Sequence, residues 1–548
     1  MGLGASAMVA MHSSVDMQTS MPTAGVVIGG VISRGPFKPL RVGATIRYGY
    51  YGRRPQSTRI QSLFPDVEGL LPLETRTVNV HLVCWENEIV CLRNRVLMQT
   101  PQPRPHSMGR LQLHGHALCS IVLSFIGRLT PWSLSKTLRH MVVRHGAALY
   151  VPAAESLRQE PLGSIDARVS MFLKVEKVFA EDPAEKAPRA IQYRGPRFNL
   201  VLGRFILAYE EAFYRAFNHV NASRCHTSKG LTPDARAALL WELWSKNPRP
   251  AALNVDASRF DAHVTVEMLL LESLYYESSF PNCRLLRWLL RCQRRNRGCG
   301  KFGTTYTLKG GRMSGDVNTA LGNTLIQMTV LSFLAGRSFD LVVEGDDAVI
   351  FGDVDDITRL EAVITSKALA VGFQLKVSKA LYLEQLEYCS TRVIRSQSGD
   401  VRAIREWPRP LAMDRYTVKI VSGQRATNRK ARTMAVCFMS LYSGLPVYEE
   451  WARYLLSWSD PSFGVDESQD RRLWFIAAEA CVGTGDQVPA DGLRSSFYMA
   501  TTIEPSEQLR VEGLLRDQRG PHPAYILGGE LRALRRAAAQ LQNSAPSS

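Results

Sequence analysis

Apolar and polar residues change rhythm along this chain, and each change predicts an element. Apolar positions recur at three- and four-residue steps from about Leu118 onward, over residues 235–245 and over residues 264–279, so helices are expected in these places. Short β-branched runs such as residues 253–255 interrupt that rhythm and predict strands, as does the alternation over residues 78–97. Beyond Pro408 and Pro410 the pattern turns helical and rich in tryptophan (Trp451, Trp458, Trp474), which predicts a mainly helical C-terminal subdomain. Residues 540–548 read as a frayed tail.

One stretch combines strand-like and charged residues in a way that asks for a chemical reason. In "LVVEGDDAVIF" (341–351) two apolar runs flank Glu344, Gly345, Asp346 and Asp347. The pattern predicts a hairpin of residues 341–343 and 348–351 turning at Gly345, with both aspartates at the tip. Carboxylates held together against an apolar sheet repel and lose hydration unless cations neutralise them. Magnesium suits such oxygen ligands and commonly completes its shell with substrate phosphate. The competing reading is a surface turn, where Gly and Asp are favoured for backbone reasons alone.

Composition narrows the partners. Lys and Arg number 67 against 50 Asp and Glu, a net charge of +17, which favours a polyanion such as nucleic acid or an acidic membrane surface. The length of 548 residues predicts two or more subdomains, or one large multi-part domain. The ten cysteines show neither a CxxC pair nor zinc-site spacing, so they read as reduced, intracellular core residues. The apolar runs at 24–32 and 117–126 are too short to span a bilayer, and neither a signal peptide nor a membrane span is expected. If the protein works on a membrane, another component brings it there. Residues 33–59 carry seven Lys or Arg, four aromatic residues and no acid, which predicts a flexible basic arm over residues 1–60, with an RNA-binding surface as the alternative.

Two further segments carry chemistry. In "LNVDASRFDAH" (253–263) Asp256 ends a short strand and Asp261 follows as a helical pattern begins. A strand-end aspartate can join the hairpin carboxylates around two metals, as in nucleotidyl transfer; for Asp261 a helix N-cap is an equal reading. In "GGRMSGDVNTALGN" (310–323) Ser314, Thr319 and Asn323 lie in a glycine-containing loop leading into a helix, suited either to lining a narrow channel or simply to capping that helix.

In order and spacing, "DASRFD", "SGDVNTALGN" and "GDD" resemble motifs A, B and C of viral RNA-dependent RNA polymerases, most closely the tombusvirus-like group with the umbravirus-like replicases. The resemblance spans residues 167–394. It implies an α+β right-hand fold of fingers, palm and thumb, with an antiparallel palm sheet and a mainly helical thumb. The implied divisions are a basic arm (1–60), an N-terminal extension partly in the fingers (61–165), fingers with motif F (166–252), motif A (253–265), a fingers insertion (266–309), motifs B to E (310–400), the thumb (401–530) and a tail (531–548). The implied activity is RNA-directed RNA synthesis from NTPs with release of pyrophosphate.

The resemblance also assigns roles. Asp256, Asp346 and Asp347 would hold two Mg2+ ions, with Mn2+ as a substitute, and Lys376 in "ALAVGFQLK" matches the motif D lysine that protonates pyrophosphate. An exposed strand-end lysine is the plain alternative. Asp261, Ser314, Gly315, Thr319 and Asn323 would bind the NTP and its ribose. "FLKVEK" (172–177) and "PRAIQYRGPRFN" (188–199) resemble motif F, so Lys174, Lys177, Arg189, Arg194 and Arg197 would contact triphosphate or template. "SKGL" (228–231) resembles a segment just upstream of motif A, and "LEYCSTRVI" (386–394) resembles motif E. Expected partners are single-stranded RNA template, nascent RNA, NTPs and a viral membrane-anchoring replication protein, at membrane-associated complexes in the host cytoplasm.

Electrostatics extend the picture. "CRLLRWLLRCQRRNRGCGK" (283–301) carries seven basic residues, with Arg284, Arg287 and Arg291 at helical spacing, a face able to follow an RNA backbone or simply to stay solvated. Two rivals share parts of the pattern: a basic RNA-packaging protein, which leaves the carboxylates unexplained, and another Mg-dependent enzyme such as a reverse transcriptase or nuclease. Glu344 has no role in any of these readings.

Overall fold

The computed structural model describes residues 27–56, 58–70, 77–182, 184–336, 338–482 and 490–544. At its centre Asp340–Glu344 and Asp347–Asp353 form the expected hairpin, Val343 opposite Ala348 and Glu344 opposite Asp347. Gly345 turns the chain at φ +67°, a region costly for any residue with a Cβ. Asp347–Asp353 pairs on its other side with Pro250–Ala257, which in turn pairs with Leu375–Ala380. These pairings are antiparallel, but the short edge strand Cys225–His226 runs parallel to Asp340–Glu344, so the sheet is mixed rather than wholly antiparallel.

Both faces of this sheet are covered, which explains its near-continuous apolar strands. Leu253, Val255, Ala348 and Ile350 face the largest core, shared with helices Pro105–Ile126, Pro196–Phe217, Val266–Ser279 and Thr319–Ala335. The alternate positions Ala252, Val349 and Phe351 face helix Pro233–Trp244 and the hairpin Thr391–Arg395 with Val401–Arg405. Residues 347, 256 and 376 fall on this second face by the two-residue period of a strand. Helix Pro233–Trp244 starts on a Thr232 cap followed by proline, whose missing N–H costs nothing there.

A second sheet orders Thr45–Arg47, Thr305–Lys309, Arg295–Gly300, Val169–Leu173 and Ala190–Arg194 side by side. Its first strand corrects the flexible-arm expectation for the described part of residues 1–60; residues 1–26 lie outside the described residues. Edge pairing and side-chain bonds hold this part: the Ser33 N–H donates to Asn87 Oδ1 at 2.8 Å, and buried Arg41 donates from Nη1 to the Ala262 carbonyl at 2.9 Å. Residues 78–97 hold one strand, Thr77–Val80, and then turn helical over Trp85–Cys91 and Leu92–Val96. There Cys84 Sγ caps the helix, and Ile89, Leu92 and Val96 bury one face at three- and four-residue steps, a period masked by apolar neighbours.

Beyond residue 409, helices Gln424–Tyr442, Tyr448–Ser457, Pro505–Asp517 and Gly528–Ser544 enclose a core of their own, which also takes in Phe64. The C-terminal helix corrects the expected tail at 531–544, since Leu534, Ala537 and Ala538 are buried in that core; residues 545–548 are not described. The nine cysteines from Cys84 to Cys437 are free thiols. No helix of the described residues is long and apolar enough to cross a membrane.

The C-terminal helix is tied down by a fully desolvated ion pair: Arg432 Nε and Nη2 donate to the Glu530 oxygens at 2.7 and 2.8 Å. Arg432→Met leaves Glu530 buried without its cation and is expected to cost about 3–5 kcal/mol. Hydrogen exchange across Gly528–Ser544 should then accelerate sharply; unchanged protection would refute the assignment.

Candidate active site

The sheet register assembles the carboxylates. Asp256 lies directly opposite Asp347, Lys376 pairs with Asp256 on the other side, and Asp346 occupies the turn beside them. Asp256, Asp347 and Lys376 border a cleft of about 440 Å³ that continues past Tyr388, Cys389 and Arg409. Among the described residues no Lys or Arg pairs with Asp256, Asp346 or Asp347, although Glu344 two residues away is paired twice.

This lack of compensation registers in their proton affinities. Lost hydration, then the Asp346, Asp256 and Glu344 charges, push the Asp347 carboxyl up to about 6, against a hydrogen bond from Cys389. Asp346 stands open at the tip, yet lost hydration and Asp256 raise it above the ordinary range, while its own backbone N–H and Arg189 oppose the shift. Among the described residues no three His, Cys, Asp or Glu side chains form a ready-made metal cage. An open pair or trio of carboxylates nevertheless suits Mg2+, which takes one or two protein oxygens and keeps the rest of its shell for water and phosphate.

Glu344 proves to be the compensated member. The Ser228 hydroxyl donates to its Oε2 at 2.6 Å, and Lys229 Nζ and Arg236 Nη2 each stand 3.7 Å from its carboxylate. Ser228 also meets the Tyr388 hydroxyl at 3.0 Å, joining "SKGL" to "LEYCSTRVI" beneath the hairpin. Helix Thr319–Ala335 supports the turn itself, because the Gly345 N–H donates to Thr324 Oγ1 at 2.9 Å.

Asp261 lies in the short helix Phe260–His263, whose N-cap is Arg259, so the N-cap reading of Asp261 fails. Asn323 Nδ2 donates to Asp261 Oδ1 at 3.0 Å. Desolvation raises the Asp261 carboxyl, and the Asn323 hydrogen bond and the Arg312 charge pull it back. These two expected ribose contacts are therefore together. Ser314, Gly315 and Thr319 each bond to neighbouring protein groups. Ser314 Oγ accepts from the Gln192 N–H and donates to the Ala190 carbonyl, both at 3.2 Å. Gly315 donates to the Gln192 carbonyl at 2.6 Å, and a Cβ there would stand 2.6 Å from Tyr193 Cβ. Thr319 Oγ1 lies 2.9 and 2.8 Å from the Met313 and Asp316 carbonyls. All three shape the loop.

The expected cationic set divides as well. Arg189 is 58% exposed, lies 3.7 Å from Glu176 and sends its field to Asp346 and Asp261; Lys174 pairs with Glu176 at 2.8 Å. Lys177, Arg194 and Arg197 are each engaged by protein groups. Lys177 Nζ donates to the Met413 and Tyr416 carbonyls at 2.7 and 3.1 Å, and burial lowers its ammonium. Arg194 points inward from its strand, fully buried against Asp316 and Asn296. Arg197 pairs with Asp166 at 2.9 Å. A further cationic cluster, not flagged by sequence reasoning, joins Lys38, lowered by burial and by Arg259 and Arg95, with Arg95, lowered by burial and by Arg189 and Arg259, and Arg259, lowered by burial. Arg259 sits within "DASRFD", but Lys38 and Arg95 come from segments with no motif to flag them.

The sequence model of a family described as viral RNA dependent RNA polymerase matches residues 75–519. A protein named RNA-directed RNA polymerase from Cucumber necrosis virus is 30% identical over 460 residues, covering 80% of this chain and 54% of that protein. Proteins of the same name from Cymbidium ringspot virus and Groundnut rosette virus (strain MC1) are 31% and 30% identical, over 80% and 72% of this chain. The chain spans about half the length of the curated relatives it matches.

A carboxyl that titrates near about 6 when folded and near its ordinary value when unfolded binds its proton more tightly in the folded state. Its contribution therefore favours the fold at low pH and is lost as pH rises from the ordinary carboxylate range through about 6. In metal-free buffer Asp347→Asn should flatten the decline of Tm between pH 5 and 7.5 and raise Tm at pH 7.5 by about 1–2 °C. Parallel Tm profiles for variant and wild type would refute the charge cluster.

Proposed function

The chain belongs to the viral RNA-dependent RNA polymerase family, and on that footing we propose that it copies an RNA template into RNA by nucleotidyl transfer from NTPs, releasing pyrophosphate. The observation that carries the reading is the uncompensated carboxylate group, with Asp347 opposite Asp256 across the sheet and Asp346 in the adjoining turn. In this reading the central sheet is the palm, the second sheet belongs to the fingers, and the C-terminal helices are the thumb.

Asp256 and Asp346, assisted by Asp347, would hold two Mg2+ or Mn2+ ions. Bound there, such ions supply Lewis acidity toward the 3'-hydroxyl and charge for the leaving pyrophosphate. The chain's own groups do the positioning. Arg189, open to solvent and electrostatically coupled to Asp346, meets the triphosphate, with Lys174 behind it. Lys376, exposed beside Asp256, delivers a proton to the departing pyrophosphate. Asp261 accepts from the ribose 2'-hydroxyl and Asn323 donates to it, which separates NTPs from dNTPs. The exposed Arg284, Arg287 and Arg291 on helix Arg284–Cys292 track the RNA backbone without reading sequence. Recruitment to membrane-associated complexes in the host cytoplasm falls to a separate viral anchoring protein.

The test is templated synthesis by the purified chain with an RNA template, Mg2+ and either NTPs or dNTPs. Template-length RNA from NTPs is expected, with a loss of at least about a thousandfold for Asp346→Ala. Full activity in Asp346→Ala would sink the metal assignment, and equal use of dNTPs would sink the ribose assignment.

A further inference from the structure

Behind Asn323 lies a buried ion pair that the polymerase reading does not use. Arg312 Nη2 meets Glu272 Oε2 at 2.6 Å, and each side chain is only 2% exposed. Burial by itself would lower the Arg312 guanidinium, and the Glu272 carboxylate more than offsets this, so the group stays charged. Asn318 Nδ2 and the Tyr276 hydroxyl donate to the other Glu272 oxygen at 2.8 and 2.9 Å, which fixes that carboxylate from two further sides. Helix Thr319–Ala335 carries a glycine where it passes the pair: a Cβ on Gly322 would lie 2.2 Å from Glu272 Oε1 and 2.6 Å from Arg312 Nη2. The backbone of Arg312 is also anchored, its N–H donating to the Asp261 carbonyl at 2.9 Å.

What this anchored guanidinium touches next is the Asn323 amide, at 2.8 Å from Nε to Oδ1. A primary amide has nearly the same shape either way round, so shape alone does not decide which end faces the ribose site. A guanidinium only donates. Asn323 must therefore turn its oxygen to Arg312, which leaves Nδ2 directed at Asp261 and at the 2'-hydroxyl that Asp261 would accept from. With the amide reversed, its oxygen would face the Asp261 carboxylate and the donor for the 2'-hydroxyl would be lost.

We propose that Arg312, held by Glu272 in the space Gly322 leaves open, is a positioning residue that sets the Asn323 amide and thereby the preference for ribonucleotides. The inference rests on the polymerase reading and adds a specificity determinant behind its ribose contacts. Its consequence is selective, because a dNTP makes no use of the oriented donor.

The test compares kcat/KM for ATP and dATP on an RNA template in wild type, Arg312→Lys and the double variant Arg312→Met with Glu272→Gln. The lysine keeps the buried charge pair, and the double variant removes both charges together, so thermal stability should survive in each. Both variants are expected to lose about tenfold or more of the ATP-over-dATP preference, through a higher KM for ATP with the dATP constants little changed. Wild-type preference in both folded variants would overturn the proposal, as would an equal loss on the two nucleotides, which is the mark of a merely structural role. A wild type that prefers neither nucleotide sinks the polymerase reading and the proposal with it.

Discussion

Mutual repulsion among the carboxylates at the end of a fully covered sheet is the constraint on which the rest of the structure depends. Hairpin tips usually face water, where such charges cost little. Here apolar strands run to the tip with both faces packed, and Asp347 consequently holds its proton up to about 6. The surroundings could have neutralised the cluster cheaply, because the chain has cations to spare. Instead they compensate Glu344, with Ser228, Lys229 and Arg236, and among the described residues leave Asp346 and Asp347 without a salt-bridge partner. Compensating one acid and not its neighbours limits the repulsion at the tip while leaving charge of the kind the proposed metal ions would meet.

The same division between occupied and reserved polar groups runs through the loop ahead of helix Thr319–Ala335. Gln293 bridges Asp316 and Asn318, Asn318 reaches Glu272, and Glu272 holds Arg312, all of them buried. In a low-dielectric interior a polar group without a partner is expensive, so a chain of this kind admits few alternative arrangements. Ser314, Gly315 and Thr319 belong to that scaffold. Asn323, held by Arg312, joins that network to Asp261.

Sequence reading recovered what local pattern controls. The hairpin, Gly345 and the strand-end Asp256 follow from period-two apolar runs and glycine geometry, and the described structure pairs Asp256 with Asp347 in register. It does not reveal a side chain's direction where a distant segment sets it. Arg194 reads like any other cation of "QYRGPRFN", yet its strand turns it toward Asp316, more than a hundred residues away in sequence. Lys177 is taken up by carbonyls beyond residue 410 for the same reason. Arg312 was in plain view between "GG" and "MSG", but no periodicity distinguishes a buried, paired arginine from one waiting for phosphate. Residues 33–59 looked like a disordered arm because basic composition without acids carries no record of edge pairing, which needs a partner strand at 305–309 to be visible.

These long-range ties also decide how the site stays assembled. Arg59–Ser62 pairs with Tyr416–Thr417, Phe64 enters the C-terminal core, and Lys177 clamps the carbonyls of Met413 and Tyr416. Residues 59–64 and the strand Lys177–Ala180 are thus joined to the C-terminal part of the chain by backbone pairing and a buried ammonium, on contacts separate from the carboxylate cleft. Arg41 closes the loop from the other end, bonding to the carbonyl of Ala262 one residue past Asp261. Ties that never touch the cleft thus hold its surroundings, while the carboxylates have no Lys or Arg partner among the described residues. That separation lets a site be electrostatically unsatisfied and structurally rigid at once, which is what the proposed nucleotidyl transfer would ask of preorganised groups.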